Sequence, residues 1–305
     1  MRVVFGGVVS IIMAGQTTAG LYQDAVLADQ PILYYNFTST NRQLEAGIVS
    51  PNLGTASSDY TLKVQAGSVN TQTGYRFVDG RGEDTGDSFA ARSDTTTIVE
   101  SQDATNLFGD LLGSSGLTTE FFIDFDELGR NSNPADNGGS VFSLGYSFRF
   151  GTSFFDVAVD GTGLVSVQAQ TNDSSSSSRT ASLTPSDLAL SGPHHIAVSL
   201  DFAGDSVAFI VDGVLAKQVG VSFADDTFDV TPPSNTLALI GGGPSGFFPG
   251  SSSAAARLDE FALYGRALTE SEVFIHLVPE PASLLCVVLG SIGLLRRGPG
   301  EPCRA

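Results

Sequence analysis

The chain contains no tryptophan, so a sugar platform built into it must stack the ring on tyrosine or phenylalanine. Its two cysteines, Cys286 and Cys303, lie close to the C-terminus. The preceding chain can therefore form no internal disulfide even in an oxidising compartment, and its stability must come from packing. Before the C-terminal stretch there are just two lysines, Lys63 and Lys217, and the net charge is −18. Nucleic acid is a poor partner for such a surface, because binding phosphates requires a basic face that releases counterions. Calcium, neutral glycans and basic surfaces stay open as partners, beside the plainer role of acidity in solubility.

What is present is strand-and-turn material. Hydrophobic residues make up 41% and charged ones 16%, enough apolar content for a sizeable core and unlike a disordered acidic chain. Glycine (35) and proline (13) separate short Phe- and Val-rich runs, as bends between strands require. The strand candidates are Pro31–Phe37, Thr61–Gln65, Leu117–Phe125, Val141–Phe150, Phe155–Val159, Leu164–Thr171, His195–Leu200, Val207–Val211, Val214–Val219, Thr236–Ile240 and Leu258–Tyr264. Asp212-Gly213 between two apolar runs predicts a tight hairpin. Two helices are expected: Asp103–Gly113, and one that starts at Thr269, where Glu272 completes a capping box. Many strands and few helices predict an all-β protein, a jelly-roll sandwich of two antiparallel sheets. Ser174–Ser178 reads as a solvated loop tip.

The two ends read as targeting segments. Arg2, the apolar stretch Val3–Ala14 and Thr17-Thr18-Ala19 have the form of a signal peptide cut after Ala19. Near the other end, Ala282–Leu295 is a 14-residue run without a charged side chain, followed by Arg296-Arg297. As a helix it covers about 21 Å, short of the roughly 30 Å hydrocarbon core. Length alone leaves a buried core helix, a short membrane segment or a removable sorting signal. The arginines favour a membrane segment, because a basic stop holds that end on the cytoplasmic side and leaves the body outside. Pro279 and Pro281 keep the preceding Val278-Pro279-Glu280-Pro281 out of helix and sheet. The expected organisation is a signal peptide (1–20), a sandwich (21–277) and a sorting segment (278–305).

Pro279-Glu280-Pro281, the apolar run and Arg296-Arg297 together resemble PEP-CTERM sorting signals. That resemblance implies recognition by an exosortase, an intramembrane cysteine transpeptidase, in bacteria that make exopolysaccharide or biofilm matrix. It speaks to destination and not to the activity of the body.

The body resembles the laminin-G-like members of the concanavalin A-like lectin/glucanase superfamily over about Val26 to Leu277. Ala28-Asp29-Gln30-Pro31-Ile32-Leu33-Tyr34-Tyr35 is similar to the entry strand, and Tyr75-Arg76-Phe77-Val78-Asp79-Gly80 with Asp87-Ser88-Phe89 to a Phe-Asp-Gly segment lengthened by Arg81–Gly86. His194-His195-Ile196-Ala197-Val198 and Val211-Asp212-Gly213 are similar to the His-His strand and its hairpin. Leu258-Asp259-Glu260-Phe261-Ala262-Leu263-Tyr264-Gly265-Arg266-Ala267-Leu268 is similar to the closing strand. Tyr35 and Pro193 stand where that family usually has tryptophan. The resemblance makes Asp259, with backbone carbonyls of the entry strand, a candidate for a structural calcium site; hard oxygen ligands also crowd Asp79–Asp87 and Asp225-Asp226.

For catalysis, the sharpest candidate is the segment Glu120 to Glu127. Alternation along a strand predicts that Glu120, Asp124 and Asp126 share one face, at a spacing of about 6.6 Å between i and i+2 that retaining glycosidases, with carboxyls roughly 5 to 5.5 Å apart, could use. The segment departs from the Glu-x-Asp-x-x-Glu pattern of related glucanases. His194 and His195 are adjacent on a strand, so they face opposite sides and are expected to be structural. No phosphate loop, nucleophile elbow or zinc spacing occurs in the body. The expected function is an exported surface or matrix adhesion module, not an enzyme, that binds a glycan or a surface protein through its loops and concave sheet. The alternatives are a structural envelope component and a glycoside hydrolase.

Overall fold

A computed structural model describes residues 19–36, 48–50, 52–56, 62–64, 74–76, 83–88, 90–91, 97–99, 104–128, 138–146, 154–231, 237–240 and 256–277. Along them run α1 (Ala19–Ala28), β1 (Leu33–Tyr35), β2 (Ile48–Ser50), β3 (Leu62–Val64), β4 (Gly74–Arg76), β5 (Glu83–Ser88), β6 (Ala90–Ala91) and β7 (Thr97–Val99). Next come α2 (Ala104–Leu111), β8 (Gly116–Asp124), β9 (Gly138–Tyr146), β10 (Phe155–Asp160), β11 (Val165–Ala169) and β12 (Arg179–Leu183). The remainder is β13 (Pro193–Asp201), β14 (Ser206–Val211), β15 (Val214–Gly220), β16 (Leu237–Ile240), β17 (Ala256–Tyr264) and α3 (Glu270–Leu277).

Two antiparallel sheets account for most of these strands. Sheet A has the order β1-β17-β8-β13-β14-β15, with β6 paired to β17. Sheet B has the order β12-β11-β10-β9-β16-β7-β3-β2, and β4 and β5 form a separate ribbon. The main core lies between the sheets. Leu117, Phe121, Ile123, Phe209 and Phe261 of sheet A join one apolar cluster with Phe142, Phe155, Val157, Val165 and Val167 of sheet B. The all-β, two-sheet expectation is met, and both expected helices form.

The other face of sheet A is also closed. Phe122, Ala197, Ile210, Ala262 and Tyr264 point outward from it and are buried against Tyr22 and Val26 of α1 and Val273 of α3. Sheet A is thus sandwiched between sheet B and a pair of helices, and residues on both its faces are apolar. This is why β8 is buried at every position. The capping box closes as expected: the Thr269 backbone N–H donates to Glu272 Oε2 at 2.7 Å, and the Glu272 N–H donates to Thr269 Oγ1 at 3.3 Å.

Two backbone devices set the geometry. At the β14–β15 turn Asp212 and Gly213 both have positive φ, 51° and 76°, the requirement of a type I′ hairpin. On β17 the pairing with β8 slips between Asp259 and Ala262, and Glu260 carries φ 52°. Leu258 and Phe261 both enter the core between the sheets although they are three residues apart, which a regular period of two forbids. The bulge supplies the extra residue that restores this parity.

The free edge of sheet A at β1 is capped by the segment 52–56. Asn52 Oδ1 accepts from the backbone N–H groups of Tyr34 and Gly54, each at 2.9 Å. Its Nδ2 donates to the carbonyls of Ile32 and Ala56, each at 3.2 Å. An edge strand whose outward groups are occupied in this way offers no template to another chain.

Candidate functional site

The carboxylates singled out from the sequence do not form a pair. β8 ends at Asp124, and Phe125–Glu127 turn into a 3-10 helix whose first N–H groups are capped by Asp124: its side chain accepts from the Asp126 N–H at 3.0 Å. Asp126 therefore leaves the strand, and the expectation that it shares a face with Glu120 and Asp124 is corrected. The cause is local, because Asp is a good cap and Asp-Phe-Asp-Glu holds three acidic groups that favour a helix N-terminus.

Glu120 lies on the outer face of sheet A, sealed beneath the helices with no exposed surface. Tyr264 donates to its Oε1 at 2.5 Å. His276 of α3 donates from Nδ1 to its Oε2 at 3.0 Å and from Nε2 to Asp29 Oδ2 at 2.9 Å. Arg266 joins the far side of Asp29 at 3.1 Å and Glu272 at 2.6 Å. Burial pushes the Glu120 carboxyl up, but the charge of His276 and the hydrogen bonds from His195 and His276 outweigh it and hold the group well below the ordinary range. Burial alone would lower the His276 pKa; the carboxylates of Glu120 and Asp29 instead raise it above 6.5. With a carboxylate at each ring nitrogen, both nitrogens are donors and the ring is an imidazolium. This network is a structural clamp between sheet and helices, without access for a substrate.

The two strand histidines face opposite sides. His195 is buried, with Nε2 3.2 Å from the Tyr22 hydroxyl and 3.5 Å from Glu120 Oε2, and its Nδ1 has no partner. His194 donates from Nδ1 to Asp212 Oδ2 at 2.8 Å and from Nε2 to the Ser191 carbonyl at 3.1 Å, while the His195 N–H donates to Asp212 Oδ1 at 2.9 Å. Together these bonds pin the hairpin turn to the start of β13. Asp259 is buried, and its Oδ1 accepts from the Glu260 N–H at 3.0 Å. The Glu260 carboxylate accepts from the Tyr34 hydroxyl, and burial, joined by the nearby carboxylates, raises the Tyr34 pKa. Among the described residues no three His, Cys, Asp or Glu side chains are gathered to hold a metal ion. Ala19 is the first residue of α1. Pro279, Glu280, Pro281, Arg296 and Arg297 lie outside the described residues.

Sheet B gives a different surface. In β10 the buried residues alternate with partly exposed ones, and Asp156, Ala158 and Asp160 point away from the core. Registers then align neighbours into rows. Asp156 stands opposite Ser143 on β9 and Gln168 on β11, and Gln168 stands opposite Thr180 on β12. The next row runs Ser140, Ala158, Ser166 and Ser182. Across four strands each row spans roughly 14 Å. Gln168, Ser166, Ser182 and Ala158 are partly exposed and Thr180 is exposed. At the inner end of the first row, Asp156 Oδ1 and Ser143 Oγ are buried without a geometrically formed hydrogen bond. Burial raises the Asp156 carboxyl to about 6, against the opposing pull of the Ser140 and Ser143 hydroxyls. Arg179, the first residue of β12, donates to the carbonyls of Ser222, Ser176 and Ser178.

The model of the concanavalin A-like lectin/glucanases superfamily matches residues 95–274, more than half of the chain. The chain belongs to this superfamily. No curated protein sequence matches it. Among solved structures, this member of the superfamily is similar to the botulinum neurotoxin serotype G binding domain at 14% identity and TM-score 0.49, over 81% of this chain and 50% of that one. It is also similar to the serotype D ligand binding domain in complex with N-acetylneuraminic acid, at 10% identity and TM-score 0.46, over 84% of this chain and 52% of that one. A third is the Ruminococcus gnavus IT-sialidase CBM40 bound to alpha2,3 sialyllactose, at 13% identity and TM-score 0.40, over 53% of this chain and 82% of that one. The chain spans about half the length of the neurotoxin domains. In this superfamily member, the rows on sheet B are what sequence inspection missed. The signal for Asp156 was the strict alternation of Phe155-Asp156-Val157-Ala158-Val159-Asp160, but the identity of its neighbours depends on strand order.

Proposed function

We propose that the protein is an exported binding module that recognises a neutral glycan through the outer face of sheet B, and that it is not an enzyme. The observation that carries this reading is the contrast between the outer faces of the two sheets. Sheet A is covered by α1 and α3, whereas β10–β12 of sheet B present Gln168, Thr180, Ser166 and Ser182 to solvent in register. Hydroxyl and amide groups in such rows suit the hydroxyl groups of an uncharged sugar chain. An acidic glycan is disfavoured by the Asp156 carboxyl and the net charge of −18, with Arg179 already committed to backbone carbonyls. The burial of Glu120 and the departure of Asp126 from its strand support binding over hydrolysis.

The module is secreted with a signal peptide cut after Ala19, which leaves Tyr22 and Val26 of α1, and Asp29 just after it, on the body. It is held at the membrane by 278–305 and sorted by an exosortase to the cell surface or matrix. Among the described residues no helix is long and apolar enough to cross a membrane, so this anchoring rests on Ala282–Leu295 and the flanking Pro279-Glu280-Pro281 and Arg296-Arg297.

Retention on neutral polysaccharide columns, compared with uronate-rich ones, tests the reading. The wild-type body should be retarded on a neutral matrix and Gln168→Ala/Thr180→Val should not. Equal retention of both proteins would remove the face from consideration. Release of reducing ends that disappears in Asp124→Asn would favour hydrolysis instead.

A further inference from the structure

Among the described residues, four of the six exposed large apolar side chains lie at the β14–β15 turn and on α3, the others being Leu112 and Leu188. Val214 and Leu215 of β15 are 56% and 39% exposed, and Phe274 and Ile275 of α3 are 48% and 52% exposed. The two elements touch: a Cβ added to Gly213 would lie 3.1 Å from both the Cα and a ring carbon of Phe274. α3 turns Val273 and His276 inward, leaving Phe274 and Ile275 on its outer side, and β15 is the edge strand of sheet A. Val214, opposite Val211, and Leu215, opposite Ile210, turn to opposite faces of the sheet, so the patch is the edge of sheet A at the hairpin turn together with the outer side of α3.

Where the chain goes next identifies the occupant. After Leu277 come four residues, Val278–Pro281, and then the 14 uncharged residues Ala282–Leu295. The five Cα–Cα steps from Leu277 to Ala282 reach at most about 18 Å when extended, so the segment begins within that distance of the end of α3. A helical segment of about 21 Å falls short of the roughly 30 Å hydrocarbon core. A bilayer accommodates a short span by thinning and by drawing flanking groups into its interface. The flanking group on the body side is this patch.

We propose that, while the C-terminal segment is attached, Val214, Leu215, Phe274 and Ile275 lie in the interface of the same lipid bilayer. The body is then seated on the membrane by its β14–β15 turn and α3, not suspended from a free tether. This rests on the reading that Ala282–Leu295 enters the membrane. The attraction is apolar, since a chain of net charge −18 gains nothing from anionic headgroups.

The absence of tryptophan makes the test clean, because Phe274→Trp introduces the sole indole. The full chain is reconstituted into phosphatidylcholine vesicles with and without brominated acyl chains, and Leu112→Trp, at an exposed position on neither element, serves as control. The expected result is co-sedimentation of both variants, with a blue shift and bromolipid quenching for Phe274→Trp and little of either for Leu112→Trp. Ile275→Trp should repeat the result. Failure of the full chain to sediment would overturn the membrane reading itself. Sedimentation with equal, weak quenching at both positions would leave that reading intact and overturn the seating. A blue shift without bromolipid quenching would also overturn it, by pointing to the chain's own segment if independent of protein density in the vesicle, and to a second copy if not.

Discussion

His276 and Glu120 meet across a layer boundary, 3.0 Å apart, with neither side chain exposed. One belongs to the last helix of the body and the other to the middle of sheet A, and Asp29, at the end of α1, holds the second ring nitrogen of His276. Three parts of the chain therefore depend on a single imidazole.

Removing that imidazole should be costly. His276→Leu leaves Glu120 buried with only Tyr264 and His195 as partners, and loss of one member of a buried pair typically costs about 3–5 kcal/mol. Replacing both, as Glu120→Gln/His276→Leu, removes the charges and should cost less than the single change. Urea unfolding midpoints of the two variants check the order, and a double variant weaker than His276→Leu would contradict it.

The same pair sets a pH window. His276 has a raised pKa, so its contribution is fully present below 6.5 and is lost as pH rises through its folded value. Glu120 has a depressed pKa, so its contribution is present above 4.5 and is lost as pH falls through its folded value. His194, raised chiefly by its hydrogen bond to Asp212, acts in the same sense as His276. Stability measured by denaturant titration should therefore decline as pH rises above 6.5, and His276→Leu should flatten that decline.

Asp156 works in the opposite sense from the other carboxylates. Its folded pKa is raised from 3.8 to about 6, so protonation favours the folded state and that contribution is lost as pH rises through about 6. A shift of this size corresponds to about 3 kcal/mol of penalty once the group is ionised. Asp156→Asn should therefore raise stability at pH 7 by up to that order and remove the dependence between pH 4 and 6. A thermal melt series over that range would show it, and a destabilised variant at pH 7 would count against the buried carboxylate.

Asn52 should tolerate no replacement. Its amide fills four hydrogen bonds along the β1 edge. Asn52→Asp turns two donors into acceptors facing carbonyls, and Asn52→Ala takes the partner from the Tyr34 and Gly54 N–H groups and from the Ala56 carbonyl, while the Ile32 carbonyl keeps the Ala56 N–H at 3.1 Å. Buried unsatisfied groups cost about 1–3 kcal/mol each, and the exposed edge should also promote association. Unfolding midpoints and light scattering would register both effects.

Much of the fold was legible because it is written in local patterns. Leu117–Phe125, Phe155–Val159 and Val207–Val211 are apolar or alternating runs bounded by turn residues, and Asp212-Gly213 and Thr269/Glu272 are signals that act within a few residues. β5, with the sequence Glu-Asp-Thr-Gly-Asp-Ser, was hidden because those residues are poor strand formers and only pairing with β4 makes it a strand. α1 was hidden at the border of the expected signal peptide, and its Tyr22 meets a histidine 173 residues away. The candidate site was less legible still. Glu120, Asp124 and Asp126 suggested a shared face by spacing, whereas capping by Asp124 and burial of Glu120 decided otherwise. The row Ser143, Asp156, Gln168 and Thr180 comes from four strands and exists only through their register.

The bulge at Asp259 and Glu260 makes the length of β17 a matter of orientation as well as extent. Beyond it, Phe261 and Leu263 fill the core between the sheets, and Ala262 and Tyr264 sit beneath the helices. Loss of one residue at this point would not merely shorten the strand. It would turn the remainder inside out, bringing the Tyr264 hydroxyl into the oily interior and withdrawing it from Glu120, while two large apolar side chains were thrust under α1 and α3. Family members that vary in length here should therefore change by two residues, or not at all.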